Sequence, residues 1–412
     1  MFNINPHPPV SAAIAGLRRQ LATGNITYLS HFWQQAASLP VPLVTTVDGA
    51  ADEREVTFLW RARHPLRGVY LRLNRVTDKE QVAKGLMTQI PATDIWTLTL
   101  RLPANYCGSY SLVEIPPGTP EEVVNQLGSR FAALAGQADP LNKTPGIAIR
   151  DGVRESVLAL DNAPAQSEWR GGRHAGTLLT SERIVAGQSR QVRLYLPAVD
   201  KSQPLGLVVL PDSETWFDHL GVCAAIDAAI DSRRIVPVAL LGIDNIDERE
   251  RTTILGGRSE LIRDVAEHLL PTIRREQPRQ KWADRSRTVL AGQSLGGVSA
   301  LMAARHAPET FGLVLSHSPS MWWTPDGGSR PHLFSATDTS WVSEHVLSAP
   351  PRTVRIRLCV GSLEGSTVPH VQQLHQQLQA SGVDSHCAIY TGGHDYAWWR
   401  GALLDGLGLL QG

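Results

Sequence analysis

Residues 287–306 constrain this chain more than any other stretch. A short apolar run at 289–291 is followed by Gly292-Gln293-Ser294-Leu295-Gly296 and then by an Ala-rich run with helical spacing. The order is strand, sharp turn, helix. So tight a turn forces its central residue into a strained conformation, and the flanking glycines leave room where a β-carbon would clash. The serine hydroxyl is thereby pushed out at the carboxyl end of a sheet, on the positive end of the following helix. A glycine-rich loop that merely caps a helix shares the G-x-S-x-G pattern. The strand before it and the helix after it are the context that the catalytic reading requires.

From about residue 171 the whole chain takes that rhythm. Runs at 177–184 and 190–196 predict an opening hairpin, and further strands are expected at 206–210, 236–241, 288–291, 313–315, 354–360 and 386–390. Helical patterns fall between and after them at 217–230, 259–275, 297–307, 367–381 and 396–410. A hairpin leading into alternating strands and helices, with the serine turn after a middle strand, is the α/β-hydrolase arrangement.

The first half follows another period. Residues 11–39 read as one or two amphipathic helices, with Ile14, Leu17, Leu21, Ile26, Leu29, Phe32 and Trp33 at helical spacing and Pro40 and Pro42 ending them. Alternating runs at 56–62, 68–73, 94–102 and 108–113 then predict a smaller antiparallel β-sandwich. Trp60, Tyr70 and Trp96 could stack on an aromatic ligand beside Arg61, Arg63 and Arg72, but aromatics on alternating strands are more often core. One helical run is expected at 121–135. The expected division is a sandwich with leading helices over 1–118, a linker over 119–170 and an α/β-hydrolase domain over 171–412, since 412 residues with 42% apolar content suffice for two cores.

Composition excludes several classes. Lys plus Arg and Asp plus Glu are both 39, so no net field favours nucleic acid or an anionic membrane. The four cysteines, Cys107, Cys223, Cys359 and Cys387, show no C-x-x-C spacing, and neither H-E-x-x-H nor a ligand-spaced carboxylate set suggests a metal. No basic-then-apolar leader opens the sequence and no apolar run reaches membrane-spanning length, so a cytoplasmic protein is expected.

The remaining catalytic groups have addresses in this scheme. A hydroxyl needs a base to take its proton, and the loop after the last strand offers Gly392-Gly393-His394. The orienting carboxylate belongs beyond the penultimate strand, where Glu364 sits; Asp395 is the rival and Asp338 a weaker candidate. Oxyanion donors are expected at the Leu295 N–H and in the turn after the strand ending near residue 210, at Ser213 or Glu214. Trp216, Arg173, Arg258, Trp322 and Trp323 are candidates to border the substrate.

Further segments are distinctive: in the first half, residues 56–60, Asn74-Arg-Val-Thr-Asp78, 93–96, Gly108-Ser109-Tyr110 and 138–142. In the second half they are 292–297, Ser316-His-Ser-Pro-Ser-Met-Trp-Trp323, 361–364 and Gly392-Gly-His-Asp395 followed by Trp399-Arg400-Gly401. On these segments the chain resembles the enterobactin (enterochelin) esterase family. The resemblance implies a serine esterase that opens the trilactone of ferric enterobactin without a cofactor, iron entering only with the substrate. Ser294 would be the nucleophile, His394 the base and then acid, and Glu364 the triad acid. The chain departs from the family at Asp212-Ser213-Glu214, where relatives commonly carry Asp-Gly-Glu, and at 254–258, which lacks the usual Glu-Leu start. A bulky anionic tris-catecholate suits Arg and Trp independently of the likeness. The alternatives are a carbohydrate-ester or feruloyl-type esterase with a sugar-binding sandwich, and a non-catalytic siderophore-binding protein.

Overall fold

The computed structural model describes residues 12–25, 27–129, 131–150 and 153–411. The start of the chain, on which the absence of a leader was read, and Ile26 lie outside the described residues. Two compact units emerge. The first is Met1–Pro164 with Thr391–Ala397, the second Ala165–Tyr390 with Trp398–Gly412.

The first unit is built on two four-stranded antiparallel sheets. One contains β1 (Leu43–Val47), β2 (Ala50–Arg61), β4 (Thr88–Gln89) and β5 (Ile95–Pro103) in the order β1-β2-β5-β4. The other contains β3 (Gly68–Leu73), β6 (Cys107–Ile115), β7 (Ile147–Arg150) and β8 (Val153–Ala159) in the order β3-β6-β8-β7. Strand β2 is buried on both faces near its end, and each face has its own partner. On the inner face Phe58 meets Tyr110 edge-on at 5.1 Å and Trp60 Nε1 donates to Glu114 at 2.9 Å, joining the sheets. On the outer face Leu59 packs with Ile14, Leu17, Phe32 and Trp33 of the helices Ala12–Ala22 and Tyr28–Ser38. Trp60, Tyr70 and Trp96 are thus core residues, 7%, 0% and 8% exposed.

The stretch 119–170 differs from the expected linker. Its helix is short, Glu121–Asn125, and β8 pairs with β6, so the segment completes the second sheet. The turn residues that read as punctuation are stitched inward: Asp139 accepts from Tyr110 Oη at 2.8 Å, and Asn142 Nδ2 donates to Val157 O at 3.0 Å. Asp and Asn mark turns in a sequence because they bond nearby backbone, as Asp139 Oδ1 does in accepting from Leu141 N at 2.9 Å and Asn142 Oδ1 from Thr144 N at 2.8 Å; the remaining polar atoms of the same side chains make the long-range bonds.

The second unit has one eight-stranded sheet. Its strands are β9 (Thr177–Val185), β10 (Gln188–Leu196), β11 (Gly206–Pro211), β12 (Val238–Ile243), β13 (Thr288–Gln293), β14 (Leu313–His317), β15 (Arg355–Gly361) and β16 (Ser385–Tyr390). They lie in the order β16-β15-β14-β13-β11-β12-β10-β9. The hairpin β9-β10 joins antiparallel to β12 and the other neighbours are parallel. Strands β11 to β14 are buried throughout, as a parallel sheet covered on both faces requires. The helix Leu295–His306 is buried all round, from Leu295 to Ala304, and its small residues let it lie close to the sheet. A β-carbon on Gly297 would stand 2.8 Å from His317 O.

Candidate active site

Ser294 sits between β13 and its helix at φ 58° and ψ −119°, a conformation that ordinary residues avoid. What holds it there is backbone. Its N–H donates to His317 O at 3.0 Å, and its carbonyl accepts from Gly297, Val298 and Ser320 N–H at 3.0, 3.2 and 3.1 Å. A β-carbon on Gly292 would overlap Gly296 O, so the crossing leaves no alternative to glycine there. The hydroxyl is half-buried, 3.3 Å from Ser320 Oγ.

The segment 317–320, just past the end of β14, ties the serine turn to the loop after β15. While His317 O and Ser320 N hold Ser294, Ser318 Oγ donates to Glu364 Oε1 at 2.5 Å and accepts from Trp399 Nε1 at 2.8 Å. The same Glu364 oxygen accepts from Gly361 N at 2.7 Å, and the residue is 5% exposed. Ser318 itself is fully buried at φ 45°. Ser318 and Trp399 were missed as functional positions; only their place in family-like segments marked them.

Glu364 and its rivals differ in setting. Asp395, 2% exposed, turns its oxygens to backbone: Oδ1 accepts from Ala397 N at 2.8 Å and Oδ2 from Ser109 N at 2.5 Å. Asp338 is exposed and accepts from Ser335 N within its own loop at 2.7 Å. His394 lies on the loop between β16 and the helix Tyr396–Leu407, within the segment Thr391–Ala397 that folds with the first unit. Its carbonyl accepts from Asn74 Nδ2 at 3.2 Å.

At the end of β11, beside β13, the chain turns through Asp212 at φ 56°. The Asp212 carboxylate is 2% exposed and accepts from Arg251 Nε at 2.6 Å and Nη2 at 3.0 Å, Asn245 Nδ2 at 2.6 Å and Gln293 Nε2 at 2.8 Å. It therefore clamps the turn of the two oxyanion candidates, Ser213 and Glu214, to the residue before Ser294. Leu295 opens a helix, so its N–H has no intrahelical acceptor. Ser213 Oγ donates to Asp244, and Glu214 accepts from Asn245 N and Nδ2. Burial, and then the Asp212 charge, raise the Glu214 carboxyl above its ordinary value. Asp212, Asn245 and Arg251 carry no sequence signal of this role, because their meeting depends on two separate strand ends and the helix Glu248–Ile254.

The substrate candidates divide. Gly256 N donates to Leu295 O at 3.2 Å, which brings 256–258 beside the serine helix. Trp323 packs against Gly256, Gly257 and Trp341, with the exposed Arg258 guanidinium 6.0 Å over its ring; Trp322 is half-buried. Trp216 is 1% exposed and packs on Trp169, a core position and not a platform. Arg173 is a correction. Ala175 N is bonded to Asp227 in the second half of the helix Val222–Asp231, and Thr177 pairs with Leu196, at the end of the sheet remote from Ser294. A six-residue strand spans about 20 Å, too far for an arginine to reach across. Among the described residues, no group of three or more His, Cys, Asp or Glu side chains could hold a metal ion.

The chain matches the putative esterase family over residues 181–410 and the enterochelin esterase N-terminal family over 55–169. It is 76% identical over 412 residues to iron(III) salmochelin esterase of Escherichia coli O6:H1, covering 100% of both chains. It is 30% identical over 408 residues to iron(III) enterobactin esterase of Dickeya dadantii, covering 91% of each. The ferric enterobactin esterase structure from Salmonella typhimurium superposes with a TM-score of 0.77 at 30% identity, over 89% of this chain and 96% of that one. The Shigella flexneri enterobactin esterase solved in the presence of enterobactin gives 0.77 at 29% identity, over 92% and 97%. With an esterase sheet that presents a strained serine and a sandwich unit of the enterochelin type, this chain belongs to the enterobactin (enterochelin) esterase family of carboxylic ester hydrolases.

Proposed function

We propose that the protein hydrolyses the ester bonds of iron(III)-loaded catecholate siderophores of the enterobactin and salmochelin type, in the cytoplasm, by a Ser294–His394–Glu364 mechanism. The observation that carries this reading is the backbone-locked Ser294 turn, which aims a hydroxyl outward on a helix start with the carboxylate-bearing loop tied to it through Ser318. The identity of 76% to a salmochelin esterase supports the substrate class.

In the first half-reaction Ser294 Oγ attacks the ester carbonyl carbon while its proton passes to the His394 imidazole. The carbonyl electron pair moves to oxygen, where the Leu295 N–H and a donor from 213–214 receive it. Collapse of this intermediate breaks the ester C–O bond, and the leaving seryl alkoxide takes the proton from the imidazolium. Water then repeats the sequence on the acyl-enzyme, giving a carboxylic acid and free Ser294. Glu364 orients the imidazole and stabilises its charged form. Iron arrives and leaves with the substrate, and no cofactor is invoked. Arg258, exposed beside the serine helix, supplies a cation to the anionic catecholates.

The test is a product profile. Iron-loaded and iron-free enterobactin and salmochelin are each incubated with the protein and with Ser294→Ala. Linear trimer, dimer and monomer should appear only with the unsubstituted chain, and turnover by a folded Ser294→Ala protein rejects the mechanism.

A further inference from the structure

The family-like segments Asn74–Asp78 and Gly108–Tyr110 are far from the serine turn in sequence, and the reaction as described makes no use of them. Both meet the histidine loop. The segment Thr391–Ala397 is folded with the first unit, although the chain on either side of it belongs to the second. Strand β6 supplies three of its fastenings: Cys107 N donates to Thr391 O at 2.9 Å, Ser109 N to Asp395 Oδ2 at 2.5 Å, and Cys107 Sγ lies 3.5 Å from Ala397 O. Asn74 supplies a fourth, its Nδ2 donating to the carbonyl of His394 at 3.2 Å. A β-carbon on Gly393 would overlap Asn74 Oδ1 and stand 2.6 Å from Arg75 Cγ, so the loop lies directly on the turn.

The turn is itself rigid. Arg75 is held at φ 59° with its N–H on Asp78 Oδ1 at 2.9 Å. Thr77 Oγ1 accepts from Leu73 N at 2.8 Å and donates to Leu71 O at 2.5 Å. Asn74 N donates to Ser109 O at 3.2 Å, and Tyr106 Oη reaches Asn74 O at 3.4 Å. Backbone is therefore fixed before, at and after position 394 by groups of one unit.

We propose that the sandwich unit acts as the mount for the general base, with Asn74 as a positioning residue that works through His394. The proposal rests on the reading of His394 as that base. It gives the sandwich a catalytic purpose separate from holding substrate, and it accounts for Gly393, which the Asn74-Arg75 turn leaves no room to replace. Because a catalytic group displaced by about 1 Å can lose roughly 100-fold in rate, the effect of unseating the loop is readable in kinetics.

The experiment uses the full chain with Asn74→Ala, Gly393→Ala, His394→Ala and each of the first two combined with His394→Ala. Turnover of iron-loaded enterobactin and the rate of Ser294 labelling by an organophosphonate are measured, with thermal unfolding as a control. Asn74→Ala and Gly393→Ala are each expected to lower kcat and the labelling rate together, by about 10- to 100-fold, with KM within about threefold. Neither should lower the residual rate of the His394→Ala protein further. Gly393→Ala leaves the turn's own bonds intact, so it carries the test if Asn74→Ala fails to fold. Full activity in both variants, a loss confined to KM, or losses that multiply with His394→Ala would overturn the proposal. Undiminished turnover by His394→Ala would instead refute the assignment of the base beneath it.

Discussion

Replacing Ser318 separates a structural from a catalytic contribution more cleanly than any other change near the site. Its hydroxyl donates to Glu364 Oε1 at 2.5 Å and accepts from Trp399 Nε1 at 2.8 Å, in a fully buried position. Ser318→Ala removes a hydrogen bond to a carboxylate, a class worth about 1.5–3 kcal/mol, and strands an indole N–H at about 1–3 kcal/mol. The two share one atom, so the joint destabilisation is expected at roughly 2–4 kcal/mol. Ser318 also sits at φ 45°, where a β-carbon costs about 1 kcal/mol that glycine does not. Ser318→Gly should therefore unfold at higher denaturant than Ser318→Ala by about 1 kcal/mol, although both lose the hydroxyl. With Glu364 released on one side, kcat on iron-loaded enterobactin should fall about 10- to 100-fold and by the same factor in both variants. Trp399→Phe, which keeps the Ser318–Glu364 bond, should lose stability but retain kcat within about threefold. Urea melts and steady-state kinetics on the three variants decide the matter. Activity that tracks stability across the series, with the glycine variant more active than the alanine one, would refute the positioning argument.

Three further outcomes are expected. Ser294→Ala should abolish turnover and phosphonate labelling, while Ser294→Gly, equally inactive, should be more stable by about 1–3 kcal/mol because the strain at φ 58° is relieved. Arg251→Leu leaves the Asp212 carboxylate, 3% exposed in its side chain, without its guanidinium, and should cost about 3–5 kcal/mol in denaturant melts, part of it recovered by adding Asp212→Asn. His317 is fully buried, neither ring nitrogen has a hydrogen-bond partner among the described residues, and burial followed by the Arg357 charge pushes its pKa down to about 3. The unfolded chain takes up that proton near pH 6.5 and the folded one does not, so stability should fall as pH drops from about 6.5 towards 3, by at most about 5 kcal/mol. His317→Phe should flatten that acid limb, and an unchanged limb would refute the argument that burial holds this imidazole neutral.

The amino-acid order alone determined that a serine stands at the head of a helix beyond a buried strand. The reason is local: Gly292 and Gly297 are dictated by the steric needs of one crossing, and all the atoms involved lie within a few residues or on the adjoining strand. The change of period likewise told the strand-rich first half from the alternating second half, because strand and helix spacing are printed in the pattern of apolar side chains, but the compact units divide at 164/165 and not at 171, and Thr391–Ala397 folds with the first. The 119–170 stretch escaped that reading. Its Asp139 and Asn142 look like surface turn makers and become a long-range acceptor and donor only when β6 and β8 meet. Arg173 failed for a related reason: its chemistry suited an anionic ligand, but which end of a sheet a segment occupies is set by strand direction and pairing. Only the tertiary structure decided that Ser318 and Trp399 serve Glu364, that Asp212 clasps two strand ends with Arg251, and that the loop of His394 is fastened by residues some three hundred positions earlier. Such pairings depend on distances between segments that the sequence keeps apart, and no periodicity or motif within one segment encodes them.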